Sequence, residues 1–161
     1  MSGLLNEKLG VGSESEVEEE LALKLATEWH SLFCPKLLRW VKDKPKNCFR
    51  WEQVSRDVEG EEAKRLYASQ KARSYFIMPE EFGHKSTTIY QTDELPEYED
   101  YLLDFYVFPK NMAWSMAFTH ESGPNMMNLG PFFLKHPDYK SLQRKNEESF
   151  SAKGATYPVN A

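Results

Sequence analysis

The chain holds only two cysteines, Cys34 and Cys48, among 161 residues. That is too few for a disulfide framework, and there is no Cys-x-x-Cys pair of the kind that holds structural zinc. No apolar run approaches the ~20 residues that cross a bilayer as a helix. The opening "MSGLLNEKLGVGSESEVEEE" has no basic start followed by an apolar stretch, so it does not read as a secretory signal. The eight glycines form neither Gly-x-Gly-x-x-Gly nor a P-loop, and no Gly-x-Ser-x-Gly elbow occurs. These gaps disfavour disulfide scaffolds, helical membrane proteins, the common phosphate-binding loops and serine-nucleophile elbows. They point to a cytoplasmic protein with no cofactor.

What is present is enough apolar material for a core: 40% hydrophobic and 14% aromatic residues, with a net charge of −5. The length suits one domain. Residues 1–13, with Gly3, Gly10 and Gly12, read as a flexible leader. Residues 14–140 read as a single domain, and 141–161 as a polar C-terminal tail. Ser13 or Ser15 is placed to cap a helix, with Glu16, Glu18, Glu19 and Glu20 in its first turns, where acids complement the helix dipole. Val17, Leu21, Leu25, Trp29, Leu32 and Phe33 recur at helical spacing, and Pro35 stops them. "PKLLRWVKDKPK" reads as a short basic helical piece. "EGEEAKRLYASQ" reads as a second helix with Ala63, Leu66 and Tyr67 inward. Strands follow at Arg73–Pro79, Thr87–Gln91, Leu102–Pro109 and "MAWSMAFTH", with a turn at Asn111, and a last edge strand lies in "LGPFFLK". Helices first and then consecutive strands imply an α+β fold: a largely antiparallel sheet of about four strands packed against two or three N-terminal helices.

Strand alternation puts Met112, Trp114, Met116, Phe118 and His120 on one face, and Ala113, Ser115, Ala117, Thr119 and Glu121 on the other. The large face should meet the helices. His120 and Glu121 should then project apart. On that reading His120 bonds a backbone carbonyl or a carboxylate at the strand end, and Glu121 caps the following loop. A catalytic role for His120 with Glu121 or Thr119 needs the strand to end at Thr119, so that the two side chains converge; Trp114 and Phe132 would then line the pocket. General acid–base work requires such a partner within hydrogen-bond reach.

His30 and Cys34 lie four apart on a helix, with Cys48 beyond, but the spacing of a metal site is missing and the cysteines read as small buried hydrophobes. Lys36, Arg39, Lys42, Lys44, Lys46 and Arg50, with Trp40 and Phe49 interleaved, form a basic patch that could meet nucleic acid or simply be a solvated face. Between Glu80 and Asp104 runs an acidic segment containing Glu81, Asp93, Glu94, Glu97, Glu99 and Asp100, opposed by Lys85 and interleaved with Tyr90, Tyr98 and Tyr101. Such carboxylates steer a basic partner, and tyrosines anchor it.

Several stretches occur in a recognisable order: Trp51 in "FRWEQVS", "EGEEA" at 59–63, "SYFIM", "EYEDYLLDFYVF", "MAWSMAFTHE" and "GPFF". Over roughly residues 45–135 the chain resembles a small uncharacterised bacterial domain family common in bacilli. Its most specific part is Thr119-His120-Glu121 followed by Gly130-Pro131, with Trp114 upstream. Ser115–Met116 departs from the usual Thr-Tyr of that pattern. The resemblance implies fold and boundaries and carries no activity with it.

The leading functional expectation is a small, non-enzymatic binding protein, immunity-type or regulatory. It would dock a partner protein, such as a basic toxin or defence-system component, through Tyr90, Glu94, Glu97, Tyr98, Glu99, Asp100 and Tyr101. The alternatives are a hydrolase-like site at His120 and Glu121, and nucleic-acid binding through the Lys36–Arg50 patch. No membrane partner is expected.

Overall fold

The computed structural model describes residues 14–56, 58–97, 104–121 and 130–155. Six strands form one sheet: β1 (Ser15–Glu16), β2 (Tyr75–Pro79), β3 (Tyr90–Thr92), β4 (Phe105–Pro109), β5 (Trp114–Phe118) and β6 (Phe132–Lys135). Their order is β1-β3-β2-β4-β5-β6, and every neighbouring pair is antiparallel. The helices are α1 (Glu19–Phe33), α2 (Gly60–Ala68) and α3 (Tyr139–Ala155), with two 3-10 segments at Pro35–Val41 and Arg50–Glu52. The α+β class stands. The sheet has six strands rather than about four.

Two local readings change. Ser15 does not cap α1: it pairs with Gln91 as part of β1, and the helix begins at Glu19 after Glu18. Residues from 141 onward, expected as a polar tail, continue α3, whose Tyr139 and Leu142 pack on the core. The expected leader lies outside the described residues.

The sheet is covered on both sides. Phe76, Met78, Tyr106, Phe108, Ala117, Phe132 and Leu134 share one cluster with Ala22, Leu25, Ala26 and Trp29 of α1. The alternate residues Tyr75, Ile77, Phe105, Val107, Trp114, Met116, Phe118 and Phe133 share another with Ala63 and Tyr67 of α2. The expectation that the Trp114–Met116–Phe118 face alone meets helices is therefore incomplete. The small face of β5 meets one too, because its smallness makes room: the Trp29 indole donates to Ser115 Oγ at 2.9 Å and lies 4.8 Å from the Tyr106 ring centre. Burying each such large side chain contributes about 1.5–3 kcal/mol.

Met112 also departs from the alternation. It sits at φ 57° in the turn between β4 and β5, its N–H bonded to Pro109 O at 3.0 Å, and it joins the α1 cluster instead of Trp114's. The period of two begins only at Trp114.

Candidate functional site

Two polar assemblies interrupt this apolar frame. The first is buried around Arg50. Its Nε–H donates to His30 Nε2 at 2.9 Å, Nη1 to Glu80 O at 2.7 Å and Glu80 Oε2 at 3.3 Å, and Nη2 to Trp40 O at 3.0 Å and Phe82 O at 2.7 Å. Every guanidinium donor is used, which is what lets a charged group sit at 0% exposure. Glu80 answers with its carboxylate. It accepts the Arg50 backbone N–H at 3.2 Å and the Tyr106 hydroxyl, and lies 3.4 Å from Lys44 Nζ.

His30 is fixed in one tautomer. Nδ1 lies 2.7 Å from Ala26 O, so it carries the proton and donates; Nε2 is then the acceptor for Arg50. Burial first, and the Arg50 charge second, lower its pKa from 6.5 to about 4, so the ring is neutral. Both nitrogens are taken, which removes His30 from any metal set. Burial also pushes the Cys34 thiol up to about 12, so it is no nucleophile. This assembly welds α1, the Pro35–Val41 segment and the end of β2 together. Its role is architectural.

The second assembly stands at the end of β5. The strand stops at Phe118, and Thr119 and His120 turn out of the ladder. Because Phe105 pairs with Phe118, Asp104 falls beside the residues that follow. Its Oδ1 accepts the His120 backbone N–H at 2.8 Å, His120 Nδ1–H at 2.9 Å and the Trp51 indole N–H at 3.0 Å. Three donors on one oxygen hold the carboxylate still, and the carboxylate holds the imidazole. His120 Nε2 then points toward Glu121, 3.5 Å from its Oε1, long for a hydrogen bond. The Phe49 and Trp51 rings lie 5.2 and 5.9 Å from the imidazole centre and stack on each other. The His120 and Glu121 side chains keep 29% and 27% of their exposure, so solvent reaches both.

The neighbouring loop is tied to the same place. Gly130 has φ 97°, and a Cβ there would come within 3.1 Å of Thr119 Cγ2. Only glycine fits that combination of backbone and contact. Pro131 O accepts the Gly60 N–H at 3.0 Å, docking the start of α2. The Thr-His-Glu, Gly-Pro and Glu-Gly-Glu-Glu-Ala segments therefore meet at one corner of the sheet.

Measured against expectation, His120 and Glu121 do not project apart; they converge, because the strand ends just before them. Trp114 does not line this site. It packs against Tyr67 and Phe133 at 5.8 and 5.6 Å on the α2 side, whereas Phe132 shares the α1-side cluster with Trp51 and lies beside Gly130. Asp104, Trp51 and Phe49 are the members that sequence reasoning missed as site residues. Their signals were weak: one acid in an acidic run, one aromatic in the basic patch and, for Trp51, only a place in the "FRWEQVS" stretch.

The expected docking surface is reduced. Tyr90 is 5% exposed and contributes to the core beside β2, and Glu80 is consumed by Arg50. Glu94 and Glu97 are exposed, while Tyr98, Glu99, Asp100 and Tyr101 lie outside the described residues. The basic patch loses Lys44 and Arg50 to the interior and keeps Lys36, Arg39, Lys42 and Lys46 at the surface. No group of three or more metal-ligating side chains with suitable geometry occurs among the described residues. None of the described helices is long and apolar enough to cross a membrane.

The fold and site thus define an α+β protein with an oriented histidine at a sheet corner. No family model matches the chain, and neither do the curated proteins or the solved structures.

Proposed function

We propose that the protein is a hydrolase-like enzyme whose general base is His120. The observation that carries this reading is the Asp104–His120 pair: a carboxylate, itself pinned by Trp51 and a backbone N–H, fixes the protonated Nδ1 and leaves Nε2 on the side of Glu121, in a partly exposed ring. That is the base-and-orienter arrangement from which a water proton can be abstracted. Glu121 Oε1, beside Nε2, offers a second acceptor to the same water and would direct its lone pair at a carbonyl carbon. The Phe49–Trp51 wall supplies an apolar surface for the acyl part of an ester or amide. Free Cys34 and Cys48 agree with the cytoplasm as its setting.

The test is turnover of a panel of activated esters and anilides. Wild type should hydrolyse at least one, with the rate lowered about 10²–10⁴-fold in His120→Ala. Asp104→Asn should lower kcat and alter the imidazole tautomer seen by nitrogen NMR. A panel untouched by wild type, or turned over equally by His120→Ala, would overturn the assignment.

A second reading is favoured by a different feature. Glu94 and Glu97 are exposed beside a cleft of about 400 Å³ lined by Tyr67, Leu95, Pro96 and Phe118. These residues form a smaller version of the expected acidic docking surface for a basic partner protein, such as a toxin or defence component. Affinity capture with wild type and Glu94→Gln/Glu97→Gln decides it: identical partner profiles reject the surface.

A further inference from the structure

At the opposite end of β5 from His120 lies a larger groove, of about 740 Å³, between α1 and the turn that joins β4 to β5. Its size falls within the range of small-molecule sites. Its lining is divided. Leu23 and Leu32 of α1, with Met112 from the turn, give it an apolar floor. Lys24, Lys42 and Lys110 stand around it, and Glu28 is the single carboxylate among the described lining residues. None of the three lysines has an ion pair with another described residue. In a chain of net charge −5 this concentration of cations with no ion-pair partner among the described residues is local and one-sided.

His136 sharpens the reading. Its Nδ1 accepts the Asp138 N–H at 2.9 Å, so in the neutral ring the proton lies on Nε2, which is a donor. The backbone N–H of His136 is bonded to Ala113 O at 3.0 Å, which fixes this lining residue against the turn. The groove therefore pairs an apolar floor with cationic and hydrogen-bond-donating walls. We propose that it binds an amphiphilic organic anion: a carboxylate or phosphate head carried on an aliphatic chain. The head would be held by Lys24, Lys110 and His136, and the chain laid over Leu32 and Met112. This site is separate from the His120 corner and does not depend on its chemistry.

The probe is decanoate, used below its micelle threshold, against protein carrying carbon-13 methionine methyls; Met112 is assigned with Met112→Leu. Saturable movement of the Met112 methyl is expected. Lys24→Gln/Lys110→Gln should weaken binding about tenfold, equivalent to ~1.4 kcal/mol; both side chains are exposed, so the variant should fold. Decyl phosphate binding in the same way would extend the head group to phosphates and support the site. Decanol binding as tightly as decanoate would overturn the anionic half of the proposal. Inorganic phosphate or an oligonucleotide moving Met112 as strongly as decanoate would overturn the apolar half. A motionless Met112 across the decanoate titration would remove the site altogether.

Discussion

Asp104 Oδ1 shows how one atom can organise a site. It collects the indole N–H of Trp51 and both the ring and backbone N–H groups of His120, and no spacing rule connects Trp51, Asp104 and His120 in the sequence. Gly130 is the complementary case, a residue defined by what it cannot carry. Gly130→Ala would place a methyl about as close as 3.1 Å to Thr119 at φ 97°. We expect it to destabilise the fold by roughly 1–3 kcal/mol, read as a lower urea midpoint with unchanged slope. Unchanged stability would mean that the corner loop tolerates a different backbone.

Among the elements, β5 and α1 depend on each other through a size match. Ser115 and Ala117 are small so that Trp29 can lie against the sheet. Ser115→Ala keeps the space but leaves a buried indole N–H without an acceptor. The expected loss is about 1–3 kcal/mol, measured by chemical denaturation, with no change in secondary structure. The Arg50 network joins other elements by the opposite means, charge instead of shape. Arg50→Met alone removes the guanidinium partner of the buried Glu80 carboxylate, leaving it Lys44 at 3.4 Å, and should cost about 3–5 kcal/mol. Adding Glu80→Gln should recover part of that loss, since the under-compensated buried charge is then gone. A double variant no better than the single one would show that geometry, and not the buried charge, sets the cost.

Across the whole molecule the buried histidine makes stability depend on pH. His30 titrates at about 4 in the folded protein and near 6.5 when unfolded, chiefly because burial disfavours its charge. Between those values the unfolded chain binds more protons, so stability rises with pH. The contribution is complete above about 6.5 and fades as the pH falls toward 4, by roughly 3 kcal/mol in all. Denaturation midpoints of wild type and His30→Gln, followed over this window, should diverge in slope. Parallel lines would show that folding does not lower the pKa of His30.

Periodicity and proline placement were enough to locate most elements. The helical stripe through Leu25 and Trp29, the stop at Pro35, the apolar runs of β2 and β4 and the turn at Asn111 are all local in origin, and short-range sterics and patterning dictate them. The residues 141–155 misled because their low apolar content conceals Leu142, which docks on the core one turn after Tyr139. The functional corner was half legible. Thr119, His120 and Glu121 are contiguous, but their geometry depends on the strand ending at Phe118. Their partners depend on the pairing of Phe105 with Phe118, which brings Asp104 alongside, and on the Arg50 network, which carries Phe49 and Trp51 to the sheet edge. Sequence spacing determines which face a side chain occupies within one element. Which two faces meet is set by strand register and by the packing of loops on the core, and those are properties of the folded chain alone.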